Sequence, residues 1–325
     1  MNRLEKNQLD FINLRLGTFI HFNSASVQFE TGEIGDWEYG VENGGEKRRY
    51  PFSEKDWNPA VIDTDAWARA AKAAGCTFAA LTAKHHEGFC IWDTKTTTHS
   101  VNSASNKTDV VKKYLESFRK EGILAGVYLS VLDLTGGVSR SKPFDAEKKR
   151  YIHSQIRELL TNYGEIPFII FDGWSSPWGG PSYKDLPFEE VSGLVHSINP
   201  DCLVMNIGCA DDINGTDIIF YENAAGQEID DGFAGPGISC NKFTDTWFHR
   251  SDDPGKALKS AEWAKEKALE CFKRNVNFML NISPDSDGRM DENQINRFEE
   301  LGKILTLPEP LTALPEGWLK RERKV

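Results

Sequence analysis

Short apolar runs alternate with amphipathic stretches along most of the chain. Such runs, bounded by turn residues, are typical of buried strands in a parallel sheet. The stretches between them place apolar residues at helical spacing, as in 108–120. The runs predict eight strands, at 16–22, 77–82, 123–130, 167–172, 202–206, 217–221, 243–249 and 277–282.

The predicted helices fall between these strands. Strands that alternate with helices form parallel sheets, and eight such units predict an α/β fold of the (β/α)₈ TIM-like barrel type. We expect a single domain over residues 1–325, with its core at about 16–304 and a short C-terminal tail. The helices are predicted at about 65–74, 108–120, 152–164, 188–198, 254–273 and 292–303.

One strand runs directly into a carboxylate. The apolar run 167–171 is followed by Asp172, Gly173 and Trp174. In α/β folds ligands bind at the carboxyl ends of the strands, which favours a chemical role for Asp172. A helix N-cap or a loop salt bridge explains the same carboxylate equally well at this point.

Composition and charge exclude several partners. The chain is 39% hydrophobic and 27% charged, as soluble globular proteins are. A net charge of −11 argues against nucleic acid and against an anionic membrane as partner, and no apolar run is long enough to cross a bilayer. The opening residues lack a secretory signal, so we expect a cytoplasmic protein, or a periplasmic or secreted one whose signal peptide has been removed. The six cysteines form no CxxC pair and are predicted to be buried free thiols. The sequence leaves the oligomeric state open.

The predicted strand ends collect aromatic rings, carboxylates and imidazoles. Neither GxGxxG nor GxxxxGK[ST] occurs, which disfavours nucleotide chemistry. Sugars combine hydroxyls with apolar faces, and such a mixture of side chains suits them. His85 and His86 are adjacent on an extended segment and point to opposite sides, so they cannot easily bind one metal and we expect them to hydrogen-bond to a ligand instead. We expect no metal and, separately, no cofactor. The loops and strand ends in question carry His21, Trp37, His85, His86, Tyr128, Asp172, Trp174, Glu222, Glu228 and Trp247.

Five motifs carry a resemblance to a known family. They stand in the order found in the α-L-fucosidases of glycoside hydrolase family 29, and the resemblance runs from about Leu16 to Gly302. The family's second motif is usually KHHDGF, so Glu87 is a departure. The resemblance implies a (β/α)₈-like barrel, here expected without the C-terminal β-sandwich that often follows it. The motifs are GTFIHF (17–22), KHHEGF (84–89), VYLS (127–130), FDG (171–173) and NFMLNISPD (277–285).

The resemblance also implies a function. It points to a retaining exo-hydrolase that removes terminal α-L-fucose from fucosylated oligosaccharides or glycosides through a covalent glycosyl-enzyme. The match to FDG makes Asp172 the nucleophile. Trp37 matches the tryptophan of the family's EWY-like loop, and the position of Trp174 beyond a strand end predicts an aromatic platform. The sugar hydroxyls would be held by His21, His85, His86 and Tyr128, and its apolar face would be covered by Trp247.

The acid/base is where the chain departs from the family. Alignment on Cys240 and Trp247 puts Ile238 near the position of the family's glutamate. The candidates that remain are Glu222, at a strand end, and Glu228, on the loop that follows. We prefer Glu228 slightly because it lies closer to the family's position; Glu222 is then a ligand-binding residue or the rival. A structural ion pair explains either glutamate as well.

Two alternatives remain open. The first follows from the missing glutamate, and the second from the similarity between L-fucose and L-galactose. One is a carbohydrate-binding barrel whose hydrolase activity is weak or lost. The other is a related α-L-galactosidase.

Overall fold

The computed structural model describes residues 1–28, 52–174, 179–208, 215–249, 258–321 and 323. Within these ranges the chain forms eight strands and eight α-helices. The strands are β1 Leu16–Ile20, β2 Phe78–Lys84, β3 Leu124–Ser130, β4 Phe168–Asp172, β5 Leu203–Asn206, β6 Ile219–Glu222, β7 Gly237–Asn241 and β8 Val276–Ile282. The helices are α1 Arg3–Ile12, α2 Ser24–Gln28, α3 Thr64–Ala73, α4 Val110–Lys120, α5 Ala146–Asn162, α6 Phe188–Ile198, α7 Ala261–Phe272 and α8 Glu292–Ile304.

The eight strands are parallel and curl into a nearly closed barrel. Their order is β5-β4-β3-β2-β1-β8-β7-β6, which confirms the predicted (β/α)₈ TIM-like fold. Between β5 and β6 the described residues form no ladder, and we call this gap the seam. Asp217 bridges it: its backbone N–H donates to the Val204 carbonyl at 2.7 Å, and its carboxylate accepts from the Val204 N–H at 2.9 Å.

Alternate strand residues fill the interior of the barrel with large apolar side chains. A Cβ on Gly17 would lie 2.4 Å from the Phe78 ring, and one on Gly126 would lie 2.5 Å from the Phe168 ring. Glycine at these two positions therefore leaves room for a phenylalanine on the neighbouring strand. The remaining strand positions pack outward against the helices and form a second apolar layer.

Helix α1 closes the amino-terminal end of the barrel. The ring of Phe11 packs 5.2 Å from that of Phe78 and 5.3 Å from that of Phe168. Asn2 and Glu5 form a capping box that starts the helix. This helix was not predicted, although the capping residues were a usable signal.

Two predicted elements begin elsewhere. Strand β7 is Gly237–Asn241, so the prediction of a strand at 243–249 is wrong. In that stretch Thr244 Oγ1 donates to the Thr246 carbonyl, and Thr246 Oγ1 to the Phe248 carbonyl, both at 2.8 Å. Such local bonds favour turns over a ladder. The predicted helix at 254–273 begins at Ala261 among the described residues.

The described cysteines are all buried and free of disulfides, which confirms that prediction for five of the six; Cys209 lies outside the described residues. No helix in the described ranges combines the length and apolarity needed to cross a bilayer.

Candidate active site

The carboxyl ends of the strands surround a pocket. Each of the eight strands brings a residue to it or to its immediate support. The pocket is lined by Phe19, His21, His85, His86, Tyr128, Asp172, Ile207, Phe220, Glu222, Cys240, Trp247 and Phe248.

Asp172 ends β4 and is 5% exposed. The Tyr128 hydroxyl donates to its Oδ2 at 2.8 Å, and the Gly173 N–H donates to its Oδ1 at 2.6 Å. Gly173 adopts φ +92°, which non-glycine residues rarely adopt. Both donors stabilise the ionised form of Asp172.

His85 and His86 lie on a turn directly after β2. His86 Nδ1 is 2.7 Å from Ser130 Oγ, and its Nε2 is 3.7 Å from Asp172 Oδ2. The His85 ring stacks on the Tyr128 ring at 5.5 Å. Burial lowers the pKa of His85 to about 3. Burial, with the neighbouring His85 and Lys84, also holds the pKa of His86 well below its usual value. Both imidazoles are therefore neutral at neutral pH.

His21 follows β1 and forms the opposite side of the pocket. The side-chain amide of Asn281 lies within hydrogen-bond distance of it, with 2.7 Å between Asn281 Nδ2 and His21 Nδ1. The Trp247 ring stacks on the imidazole with centroids 5.0 Å apart. Burial and the neighbouring His85 lower the pKa of His21 well below its usual value.

Of the two glutamates left open by the sequence, Glu222 reaches the pocket. It ends β6 and is 7% exposed. Burial, and then the charge of Asp172, raise its pKa to about 8, while Lys242 acts in the opposite direction. Glu222 is therefore largely protonated at neutral pH. Glu228 is exposed on the following loop and does not line the pocket.

Two of the predicted aromatic residues are not among those that line the pocket. Trp37 lies outside the described residues. Trp174 is 3% exposed, and its indole N–H donates to the Leu186 carbonyl at 2.8 Å. Its ring stacks on Tyr183 at 5.6 Å, so the structure places it in the apolar core. Trp247 does line the pocket, on the loop after β7.

Sequence reasoning missed the residues that orient the histidines. Ser130 and Asn281 each hold one imidazole, yet neither was predicted as a site residue. The usable signal was a buried polar residue near the end of an otherwise apolar strand. The apolar lining from Ile207, Phe220 and Phe248 was also missed.

The lining residues carry no lysine or arginine. Within the described ranges, no group of three or more His, Cys, Asp or Glu side chains is arranged to hold a metal ion.

Comparison with known proteins assigns a family to this arrangement. The family model described as alpha-L-fucosidase matches residues 2–308. The chain belongs to the α-L-fucosidase family. This α-L-fucosidase-family chain is 27% identical to "Alpha-L-fucosidase 1" of Arabidopsis thaliana over 286 residues, which are 78% of the chain and 55% of the relative. It is 23% identical to the "Tissue alpha-L-fucosidase" of Homo sapiens over 91% of the chain and 67% of the human protein.

A solved structure of the family has the same fold. The chain matches "Alpha-L-fucosidase isoenzyme 1 from Paenibacillus thiaminolyticus" with a TM-score of 0.74 and 25% identity, over 93% of this chain and 76% of that one. The chain spans about half the length of the Arabidopsis relative.

Proposed function

We propose that this protein is a retaining exo-α-L-fucosidase that hydrolyses terminal α-L-fucose in oligosaccharides or glycosides. The observation that carries the proposal is the pair Asp172 and Glu222 in one pocket. Hydrogen bonds stabilise the charge of Asp172, whereas burial and that same charge keep the proton on Glu222. A nucleophile and a general acid require these opposite states.

In the first step Asp172 is the nucleophile. One of its oxygens attacks the anomeric carbon and forms an ester with the sugar. The bond from the anomeric carbon to the leaving oxygen breaks at the same time, and Glu222 gives its proton to that oxygen. The Tyr128 hydroxyl and the Gly173 N–H keep the carboxylate oriented during the attack.

In the second step Glu222 becomes the base. Once Asp172 is esterified its negative charge is gone, so one of the two causes that raise the pKa of Glu222 disappears. The glutamate, ionised by loss of its proton in the first step, then takes a proton from a water molecule. That water attacks the anomeric carbon, releases Asp172 and yields the sugar with its original anomeric configuration.

The pocket is suited to a neutral deoxy sugar. Three imidazoles with lowered pKa values present uncharged donors and acceptors for hydroxyl groups. The rings of Phe220, Trp247 and Phe248 and the side chain of Ile207 supply an apolar wall for the ring face and the methyl group of fucose. L-Galactose carries a hydroxymethyl group in place of that methyl, and its additional hydroxyl would lie against apolar carbon, which disfavours L-galactose by about 10²-fold at most.

The alternative of a binding barrel without turnover is not favoured. It rested on the absence of a glutamate near position 238, and Glu222 supplies a protonated carboxyl within the pocket. For this reason we propose Glu222 rather than Glu228 as the acid/base.

The test is hydrolysis of an aryl α-L-fucoside by the purified protein, with the anomer of the first product followed by NMR. We expect the α-anomer to form first and Asp172→Ala to lose at least about 10³-fold in kcat. Asp230→Ala, an exposed carboxylate on the loop after β6, is the matched control and keeps full activity. Full turnover by Asp172→Ala, or a β-anomer as first product, would refute the mechanism.

A further inference from the structure

A buried histidine outside the pocket is clamped between two carboxylates. His99 Nε2 lies 2.8 Å from Glu87 Oε1, and its Nδ1 lies 2.6 Å from Glu54 Oε1. Ionised carboxylates only accept hydrogen bonds, so both ring nitrogens donate and the ring is an imidazolium. The side chain of His99 is 9% exposed.

The surroundings of His99 support this charged state. Burial alone would lower its pKa, but the hydrogen bonds and charges of Glu87 and Glu54 raise it to about 9. Among the described residues, these two carboxylates are the charged groups that face the ring. The rings of Phe52 and Phe89 meet it edge-on at 6.0 and 5.4 Å.

Glu87 connects this cluster to the turn that carries the pocket histidines. It follows His86 directly, and its Oε2 accepts from the Phe89 N–H at 3.1 Å. The Thr135 hydroxyl donates to Glu87 Oε1 at 2.8 Å, and the Leu134 N–H donates to the His86 carbonyl at 3.0 Å. The turn therefore presents His85 and His86 to the pocket on one side and is held through Glu87 on the other.

The length of Glu87 matters for this connection. The family's usual motif has an aspartate here, and glutamate adds one methylene. Glu87 uses that reach to meet His99, which in turn meets Glu54 at the start of the described segment 52–174. Two separate segments are thus joined to one side chain of the histidine turn.

We propose that His99 is a positioning residue, whose ion pairs with Glu87 and Glu54 hold the His85–His86 turn in register with the sugar and with Asp172. The inference rests on the proposed function. His99 does not line the pocket, so it acts through the two histidines alone. His86 Nε2 lies 3.7 Å from Asp172 Oδ2, and a displacement of about 1 Å at such a site costs up to about 10²-fold in rate.

The experiment measures the affinity for L-fucose by calorimetry between pH 6 and pH 10. It is done in the Glu222→Gln protein, in which position 222 has no titratable group. We call the Glu222→Gln protein the parent. Its affinity for L-fucose is expected to fall as pH rises through about 9, because His99 then loses its proton. His99→Gln is expected to lose about 10-fold or more in affinity at pH 7 and to lose this alkaline dependence.

A second variant and a control separate positioning from simple stability. Glu54→Gln removes one of the carboxylates that raise the pKa of His99, so the alkaline fall is expected at lower pH; its side chain is 32% exposed, so the fold tolerates the change. His196→Gln removes a histidine that is paired with Asp217 at 2.9 Å near the amino-terminal end of the barrel, and is expected to leave affinity unchanged.

Unchanged affinity in His99→Gln, or an alkaline fall that Glu54→Gln does not move, would overturn the positioning role. Absence of L-fucose binding in wild type and parent alike would refute the proposed function, and the positioning role with it.

Discussion

At the scale of single residues, two carboxyl groups of one pocket have opposite surroundings. The carboxylate of Asp172 accepts hydrogen bonds from a hydroxyl and a backbone N–H. The pKa of Glu222, in contrast, is raised by burial and by the charge of Asp172. The difference arises because Asp172, at the end of β4, has hydrogen-bond donors beside it, whereas Glu222, at the end of β6, is buried near another carboxylate. The chemical roles proposed for the two groups follow from these contacts.

The choice between the two glutamates can be tested directly. Glu222→Gln is expected to lower kcat by about 10²–10⁴-fold on an alkyl fucoside, whose leaving group needs a proton. Glu228→Gln is expected to stay within about 2-fold, because its side chain is exposed and away from the pocket. The measurement is kcat for both variants on the alkyl substrate and on an aryl fucoside with a good leaving group. The reverse order of the two losses would return the acid role to Glu228.

The buried proton of Glu222 also has a consequence for stability. Its pKa rises from 4.5 to about 8 on folding, so the folded protein keeps a proton that the unfolded chain releases. Stability contributed by this residue is therefore lost as pH rises from about 4.5 to about 8. Glu222→Gln has no such loss and is expected to be more stable at pH 8, on the order of 2–4 kcal/mol. Urea unfolding of both proteins at pH 8 and pH 4 checks this, since the advantage should vanish at pH 4.

The sequence could predict Asp172 because its position depends on one strand and the residue that ends it. The role of Glu222 could not be predicted in the same way. Its pKa depends on burial within the closed barrel and on a charge from a strand that is not its neighbour along the sheet. The direction of the Trp174 side chain could not be predicted for a similar reason. It depends on the contacts of the indole with Leu186 and Tyr183, which are brought to it only by the folded chain.

At the scale of elements, α1 is the piece that the hydrophobic pattern did not predict. Only one of its faces is apolar, and that face packs against the aromatic layer at the amino-terminal end of the barrel. The prediction of β7 at 243–249 was wrong although the pattern there is that of a strand. Apolar residues alternate in this stretch, but its threonine hydroxyls donate to carbonyls two residues away, as in a turn. Periodicity reports which residues are buried, but not where their backbone groups find partners.

The contribution of α1 can be measured through Phe11. Phe11→Ala is expected to cost about 3–5 kcal/mol of unfolding free energy, because it removes a ring packed on Phe78 and Phe168. Asp10→Ala, on the exposed face of the same helix, is expected to cost less than about 1 kcal/mol. Urea unfolding followed by tryptophan fluorescence gives both values. Similar values for the two variants would mean that α1 does not close the barrel energetically.

At the scale of the whole molecule, Asp217 bridges the seam through both its backbone and its side chain. Burial alone would raise the pKa of Asp217, but hydrogen bonds from His196 and Arg323 lower it. Arg323 lies near the end of the chain, so the carboxyl-terminal residues reach back to the gap between β5 and β6. One buried carboxylate thus joins a helix, a strand and the tail.

Removal of that carboxylate is expected to be costly. Asp217→Ala leaves the Val204 N–H without its acceptor and removes the shared partner of His196 and Arg323, which should cost about 3–5 kcal/mol. Asp201→Ala is the matched control, because its ion pair with Arg3 is exposed and should contribute less than about 1 kcal/mol. Chemical unfolding of the two variants checks the difference. Equal losses would show that the seam does not depend on Asp217.

The seam also means that the sheet has two free ends. Apart from the ladder between β1 and β8, each ladder joins two strands from the same side of the β5–β6 connection; β1 and β8 hold the two sides together through pairs such as Thr18 and Leu280. A protease site engineered between residues 209 and 214 would therefore cut the polypeptide outside the ladders of the described strands. We expect the two pieces to elute together from a sizing column and to keep their tryptophan fluorescence, whereas separation would contradict this. The protein could then be assembled from two polypeptides, with Asp172 on one and Glu222 on the other.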